Sequence, residues 1–244
     1  ETFAFAAVCS GAALLPDLDT AQSTVARSFG PVSQTLANGI DAVSTGYYSL
    51  TKGSRDRKRR GGHRTMTHTA LFAALLGVGV SALVARFGRE AIIGILFLTL
   101  GLALRGLFGS WAKKRGWVVV TLCAAALSIL SWTWFPSEVA STGLGVAVAL
   151  GCVTHCLGDA VTKEGIPFLA PFVPWRGQRW WEIKLPDALS IRAGGPFEVA
   201  VLGPALTVAA VAMGIWSIDG APEHILGTLE ASGLSFWQGS VPQR

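Results

Sequence analysis

The chain has 244 residues, 51% of them hydrophobic and 14% charged, with a mean hydropathy of +0.48 and a formal net charge of +5. That is too apolar and too poor in charge for an ordinary water-soluble domain of this size, so the composition points to an integral membrane protein.

In chain order, the first apolar run is Phe3 to Leu15. It is too short to cross a bilayer alone. It reads as the end of a helix that starts ahead of Glu1, and not as a signal peptide, because it has no basic n-region and no cleavage site. Next, "LLPDLD" sets Asp17 and Asp19 on either side of Leu18, the alternation by which an extended turn would aim two carboxylates at one centre. The stretch from Ala21 to Thr51 is expected to hold a short amphipathic helix lying along the membrane surface. The tract "KGSRDRKRRGGHR", Lys52 to Arg64, reads as a loop that anchors topology and touches anionic headgroups, and not as a nucleic-acid surface. His63 and His68, two of only four histidines, stand where this loop gives way to the apolar run Thr69 to Ala85.

Further apolar runs are Ala91 to Leu104, extended toward Phe108 if Arg105 snorkels, then Trp117 to Phe135, Val139 to Leu157 and Val199 to Ile218. At about 1.5 Å per residue most of these match a hydrocarbon core of roughly 30 Å. His155 and Asp159 close the fifth span, four residues apart and so on one helical face. The excursion "PFLAPFVPWRGQRWWEIKLP" suits an interfacial platform, with Trp175, Trp180 and Trp181 at headgroup depth. Glu198 opens the last run, where the helix dipole already favours a carboxylate. The four cysteines lie in apolar spans and read as small buried hydrophobes.

The expected fold is an all-α polytopic bundle of about six spans, the first truncated, with interfacial helices on the cytoplasmic side. It forms one domain over 1–218, followed by an extracytoplasmic tail, 219–244. Threading the chain through six spans puts 17 of the 20 Lys and Arg on one side, which the positive-inside rule makes cytoplasmic in a bacterial plasma membrane.

Asp17, Asp19, His63, His68, His155, Asp159 and Glu198 all fall at that same face. Clustered carboxylates and imidazoles at helix ends are costly unless paired or metal-bound. Hard oxygen and borderline nitrogen donors suit zinc, one to three ions, with manganese as the alternative. Such ions activate a water and stabilise the leaving oxygen of a phosphoryl ester. Arg64 is placed to neutralise a phosphate oxygen, and Thr67 and Thr162 to orient ligands or cap helices. No GxxxxGK[ST], GxSxG or HExxH occurs.

The elements "GALLPDLD", "HRTMTH", "HCLGDAVTKEG" and "GGPFE", in that order, resemble the membrane-bound metal-dependent hydrolase family named after YdjM, also described as LexA-binding inner-membrane hydrolases. That family is held to be remotely similar to zinc-dependent phospholipase C and P1-type nuclease. The resemblance implies Asp17, Asp19, His63, His68, His155 and Asp159 as metal ligands. Thr162 and Gly165 complete the third element, and Glu198 matches the acidic residue opening the last conserved helix. Family members usually carry a further histidine in a segment ahead of the point where this sequence starts.

The function expected on these grounds is metal-dependent hydrolysis of a phosphate ester, of a phospholipid or another anionic amphiphile, at the cytoplasmic boundary. Asp17, Asp159, Arg64 and Glu198 take part in the chemistry, and Arg64 with Trp175, Trp180 and Trp181 holds the substrate. The alternatives are a metal or ion transporter, which would place its ligands nearer mid-membrane, and a non-enzymatic membrane scaffold acting through the basic loop.

Overall fold

The computed structural model describes residues 2–23, 25–58, 62–134, 141–193, 195–202, 205 and 208. Two compact units are present, and the elements that carry the site belong to the first, Phe3–Ala193. Its helices are α1 (Thr2–Ala12), α2 (Pro31–Thr51), α3 (Ala70–Phe87), α4 (Arg89–Leu107), α5 (Gly109–Trp134) and α6 (Ser141–Ala160), with 3-10 turns at Pro16–Asp19 and Met66–His68. No strand or sheet forms among the described residues; only isolated bridges pair parts of the segment 161–193. The all-α expectation holds.

The expected count of spans is corrected. Among the described residues three helices, not six, are long and apolar enough to cross a membrane: Ala70–Phe87, Arg89–Leu107 and Gly143–Ala160. The run Phe3 to Leu15 lies on α1, described from Thr2, which ends at Ala12 ahead of Pro16, the residue that opens the next turn. The run Trp117 to Phe135 lies on α5, whose helical geometry breaks at Gly116 (φ 83°), and Phe135 is outside the described residues. Most of Val199 to Ile218, and all of the tail 219–244, lie outside them too.

Each turn has a local cause. Thr69 caps α3, its hydroxyl accepting from Phe72 N–H at 3.2 Å. Gly88, at φ 56°, is the single residue between α3 and α4, a conformation that disfavours any side chain with a Cβ. Where α3 crosses α6 the backbones nearly touch: a Cβ on Gly145 would lie 2.3 Å from the Gly77 carbonyl oxygen. α1 wedges beside α6 in the same way, a Cβ on Gly151 falling 2.4 Å from the Cys9 carbonyl oxygen. Small residues permit this approach, and dispersion between the closely packed helices holds it. The core at the crossing includes Val8, Ala12, Leu96, Val148 and Cys152. Large apolar side chains on the outer faces stay exposed, Val78 at 67% among them, as lipid-facing positions require.

On the site side, the segment 161–193 docks onto the basic loop and the end of α2. Asp56 is the hub, its carboxylate accepting from the backbone N–H groups of Gly53 (2.7 Å), Arg179 (3.0 Å) and Trp180 (3.1 Å). Trp180 is buried against Tyr47 and Tyr48, and its indole N–H donates to Thr51 Oγ1 at 3.1 Å.

Candidate metal centre

Three stretches converge at the ends of α3 and α6. Pro16 starts the turn that carries Asp17 and Asp19, and the loop 62–69 brings in His63 and His68. The last turns of α6 present His155 and Asp159. The loop is seated by Gly62, whose N–H donates to Asp41 Oδ1 at 2.6 Å and where a Cβ would overlap Ser44 at 2.4 Å. Arg64 follows in the left-handed region at φ 53°, a conformation costing a non-glycine residue about 1–2 kcal/mol.

The innermost atoms are His68 Nε2 and His155 Nε2, 3.3 Å apart. Asp159 Oδ2 lies 3.4 Å from the first and 3.6 Å from the second, and Asp17 Oδ1 lies 3.6 Å from His155 Nε2. One ligand atom each from Asp17, His68 and His155 falls within 4.8 Å of the others. Ligands at about 2.0–2.1 Å from a tetrahedral zinc ion are separated by roughly 3.3–3.4 Å. Asp159 Oδ2 is buried and accepts no hydrogen bond among the described residues. An orphaned carboxylate oxygen facing two imidazole nitrogens at these spacings fits a divalent cation.

Asp19 and His63 lie beside them, on the Nδ1 side of His68, and pair with each other. Asp19 is buried, and its Oδ1 accepts from His63 Nδ1 (2.8 Å) and Thr20 Oγ1 (3.1 Å). Its Oδ2 accepts from Thr67 Oγ1 (2.6 Å) and the Arg64 backbone N–H (3.1 Å). Thr67 Oγ1 is 2.9 Å from His68 Nδ1, so a relay runs from His68 Nδ1–H through the Thr67 hydroxyl to Asp19. That network assigns the proton to Nδ1 and leaves the Nε2 lone pair facing the centre.

The electrostatics agree. Burial pushes the Asp19 pKa up, but hydrogen bonds from His63, His68 and Thr67, with the charge of His68, outweigh it and hold the carboxyl well below the usual range. Burial disfavours protonated His68, yet the carboxylates of Asp159 and Asp19, facing its two ring nitrogens at 3.4 and 3.6 Å, raise its pKa overall. Carboxylates packed this closely demand positive charge, which a proton supplies where no metal does.

Arg64 is committed to the cluster. Its guanidinium donates to Asp159 Oδ1 (2.8 Å) and Thr162 Oγ1 (3.1 Å) and pairs with Glu164 at 3.2 Å. Thr162 in turn donates to the Asp159 carbonyl at 2.7 Å. Of the platform tryptophans, Trp175 is exposed and its ring lies 6.1 Å from that of Trp181, whereas Trp180 is buried. Glu198 lies in the π-helical turn Glu198–Leu202 of the second unit. Sequence reading missed Thr20 and Asp41, lone polar residues without a motif, and the partner role of Glu164.

A family model described as the YdjM inner membrane protein matches residues 1–119 and 116–220. The chain belongs to that family. Neither a curated protein nor a solved structure matches it. Membership agrees with the resemblance carried by the four sequence elements, and three helices of membrane-spanning length and composition agree with an integral-membrane location.

Proposed function

We propose that the chain is a metal-dependent hydrolase of phosphate esters carried by amphiphiles, working at the cytoplasmic face of the membrane. The observation that carries this reading is the convergence of His68, His155 and Asp17, with Asp159 Oδ2 facing both imidazoles and accepting no hydrogen bond among the described residues, at the ends of two membrane-length helices. Asp17, His68 and His155 would hold one divalent ion, zinc first and manganese second given the mixed nitrogen and oxygen donors, with Asp159 Oδ2 beside both imidazoles as a further donor. Bound there, the ion supplies Lewis-acid polarisation of a phosphoryl oxygen and acidifies a water.

The remaining residues have defined tasks. Asp19 and Thr67 fix the His68 tautomer. Arg64 balances the charge of Asp159 through Oδ1 while leaving Oδ2 to the centre. His63 donates its Nδ1–H to Asp19, which leaves the Nε2 lone pair to accept a proton from an attacking water.

An amphiphilic substrate is supported by an apolar groove of about 280 Å³ whose lining includes Leu18, Phe29, Phe97, Leu102 and Trp117. Leu18 sits between the two aspartates, so the turn that supplies a ligand also borders the groove. The cytoplasmic assignment rests on the one-sided distribution of Lys and Arg. The test incubates wild-type and Asp159→Ala protein with phospholipids and isoprenyl phosphates, with and without chelator. Turnover lost with both treatments is the expected result. Equal turnover in the variant, or metal movement across liposomes without hydrolysis, overturns the reading.

A further inference from the structure

Beside the cluster a pocket of about 380 Å³ opens, lined by Arg57, Arg64, Lys163 and Lys184 together with Glu164 and Glu182. His63 forms a wall shared with the centre, its ring also standing edge-on to His68 at 5.5 Å. We propose that this pocket binds a phosphomonoester dianion, held by Lys163, Lys184 and Arg57. The proposal rests on the hydrolase reading and names the class of head group it acts on.

Charge decides the class. Lys163, Lys184 and Arg57 give the lining several separate cationic donors, which the three free oxygens of a phosphomonoester can engage together and a neutral or zwitterionic head group cannot. Arg64 is a poor primary anion ligand, because Asp159 and Glu164 already occupy its guanidinium at 2.8 and 3.2 Å. Arg57 is held more loosely, 3.9 Å from Glu182 with its side chain 80% exposed, and Lys184 pairs only with the exposed Asp187. Those cations can turn toward a ligand without uncovering a buried carboxylate.

The pocket is also built by the fold and not by chance proximity. Reciprocal hydrogen bonds between Ile166 and Ile183, at 3.1 and 2.8 Å, bring 163–166 alongside 182–184. Gly165 makes that approach possible at φ 68°, since a Cβ there would lie 2.7 Å from the Ile183 carbonyl oxygen. Asp56 ties the basic loop to the returning segment two residues before Glu182, which sets Arg57 at the rim.

The test is calorimetry on the full chain in nanodiscs of zwitterionic lipid, with glycerol 3-phosphate as probe and glycerol as control. Saturable binding of the phosphate alone is expected, weakened about tenfold in Arg57→Ala and further in Lys163→Ala with Lys184→Ala, with Lys163→Arg restoring affinity. Unchanged affinity in those variants, or no saturable binding to wild type, overturns the proposal. Nanodiscs containing phosphatidic acid separate the sources: loss of the probe's binding there assigns a lipid head group to the pocket, and retention assigns a soluble ester. His155→Ala protein separates the two readings. Probe binding that survives in it, with no ester turned over by wild type, sinks the hydrolase and leaves the pocket standing.

Discussion

At the residue scale, the difference between Asp19 and Asp159 governs the chemistry. Both are close to His68, but Asp19 accepts four hydrogen bonds while Asp159 keeps one oxygen empty. Asp159→Asn should therefore abolish metal retention, measured by elemental analysis of purified protein. It should also lower stability, since the Arg64 guanidinium loses the charge of Asp159 and keeps Glu164 as a carboxylate partner. Thr67→Val breaks the relay and should weaken metal binding by roughly 10- to 100-fold without changing stoichiometry at saturation. The pH dependence has a defined sign. His68 has a raised folded pKa, so without metal its contribution to stability is complete below its unfolded value of about 6.5 and is lost as pH rises through the folded value. Metal competes with that proton, so affinity should rise over the same interval in which stability of the metal-free protein falls. Thermal melts with and without chelator across neutral pH test this; parallel slopes would contradict it.

At the element scale, the site depends on the crossing of α3 and α6, since one helix follows directly from His68 and the other carries His155 and Asp159. Gly145→Ala sets a methyl carbon against the Gly77 carbonyl and Ser81 and should cost roughly 1–3 kcal/mol, whereas Gly79→Ala, with open space at its Cβ, should be nearly silent. Topology follows from the same elements. α3 leaves the site side, α4 returns to it after the one-residue turn at Gly88, and α6 ends at the site. For the chain between α4 and α6 to cross once more, we expect the part of α5 that follows the break at Gly116, residues 117–134, to do so, beyond the three helices of span length and composition. Single cysteines at Ser54 and Lys114 should label from the cytoplasm and one at Arg86 from outside. Labelling of Lys114 and Arg86 from one side would exclude this path.

At the scale of the whole molecule, some of this was legible and some was not, for physical reasons. His155 and Asp159 declared a shared face by their four-residue spacing, and His68 and Asp17 declared themselves by lying at boundaries where unpaired polar groups are expensive. The inward turn of Asp19 was not legible, because its partners Arg64 and Thr67 come from a loop 45 and 48 residues away. Nor was the burial of Trp180, which depends on Asp56 and the tyrosines of α2. Among the described residues the apolar runs outnumber the helices of span length and composition, since a run measures composition while a span needs helical length. The amphipathic helix expected over 21–51 does form as α2, and it is amphipathic in an outward sense. Val32, Leu36, Val43 and Leu50 are 51–85% exposed and, at 3.6 residues per turn, lie within about 40° of one line along the helix. Ser33, Ala37, Ser44 and Tyr48 face the protein. A helix with small and polar residues inward and an apolar stripe outward is suited to lie in the bilayer interface, its stripe among the upper acyl chains. Spin labels at Val43 and at Ser49 in reconstituted protein should separate these environments: the Val43 label should be relaxed more by oxygen than by a water-soluble nickel complex, and the Ser49 label the reverse. Equal access of the nickel complex to both would place α2 in water and detach the apolar groove from the membrane that is meant to supply its occupant.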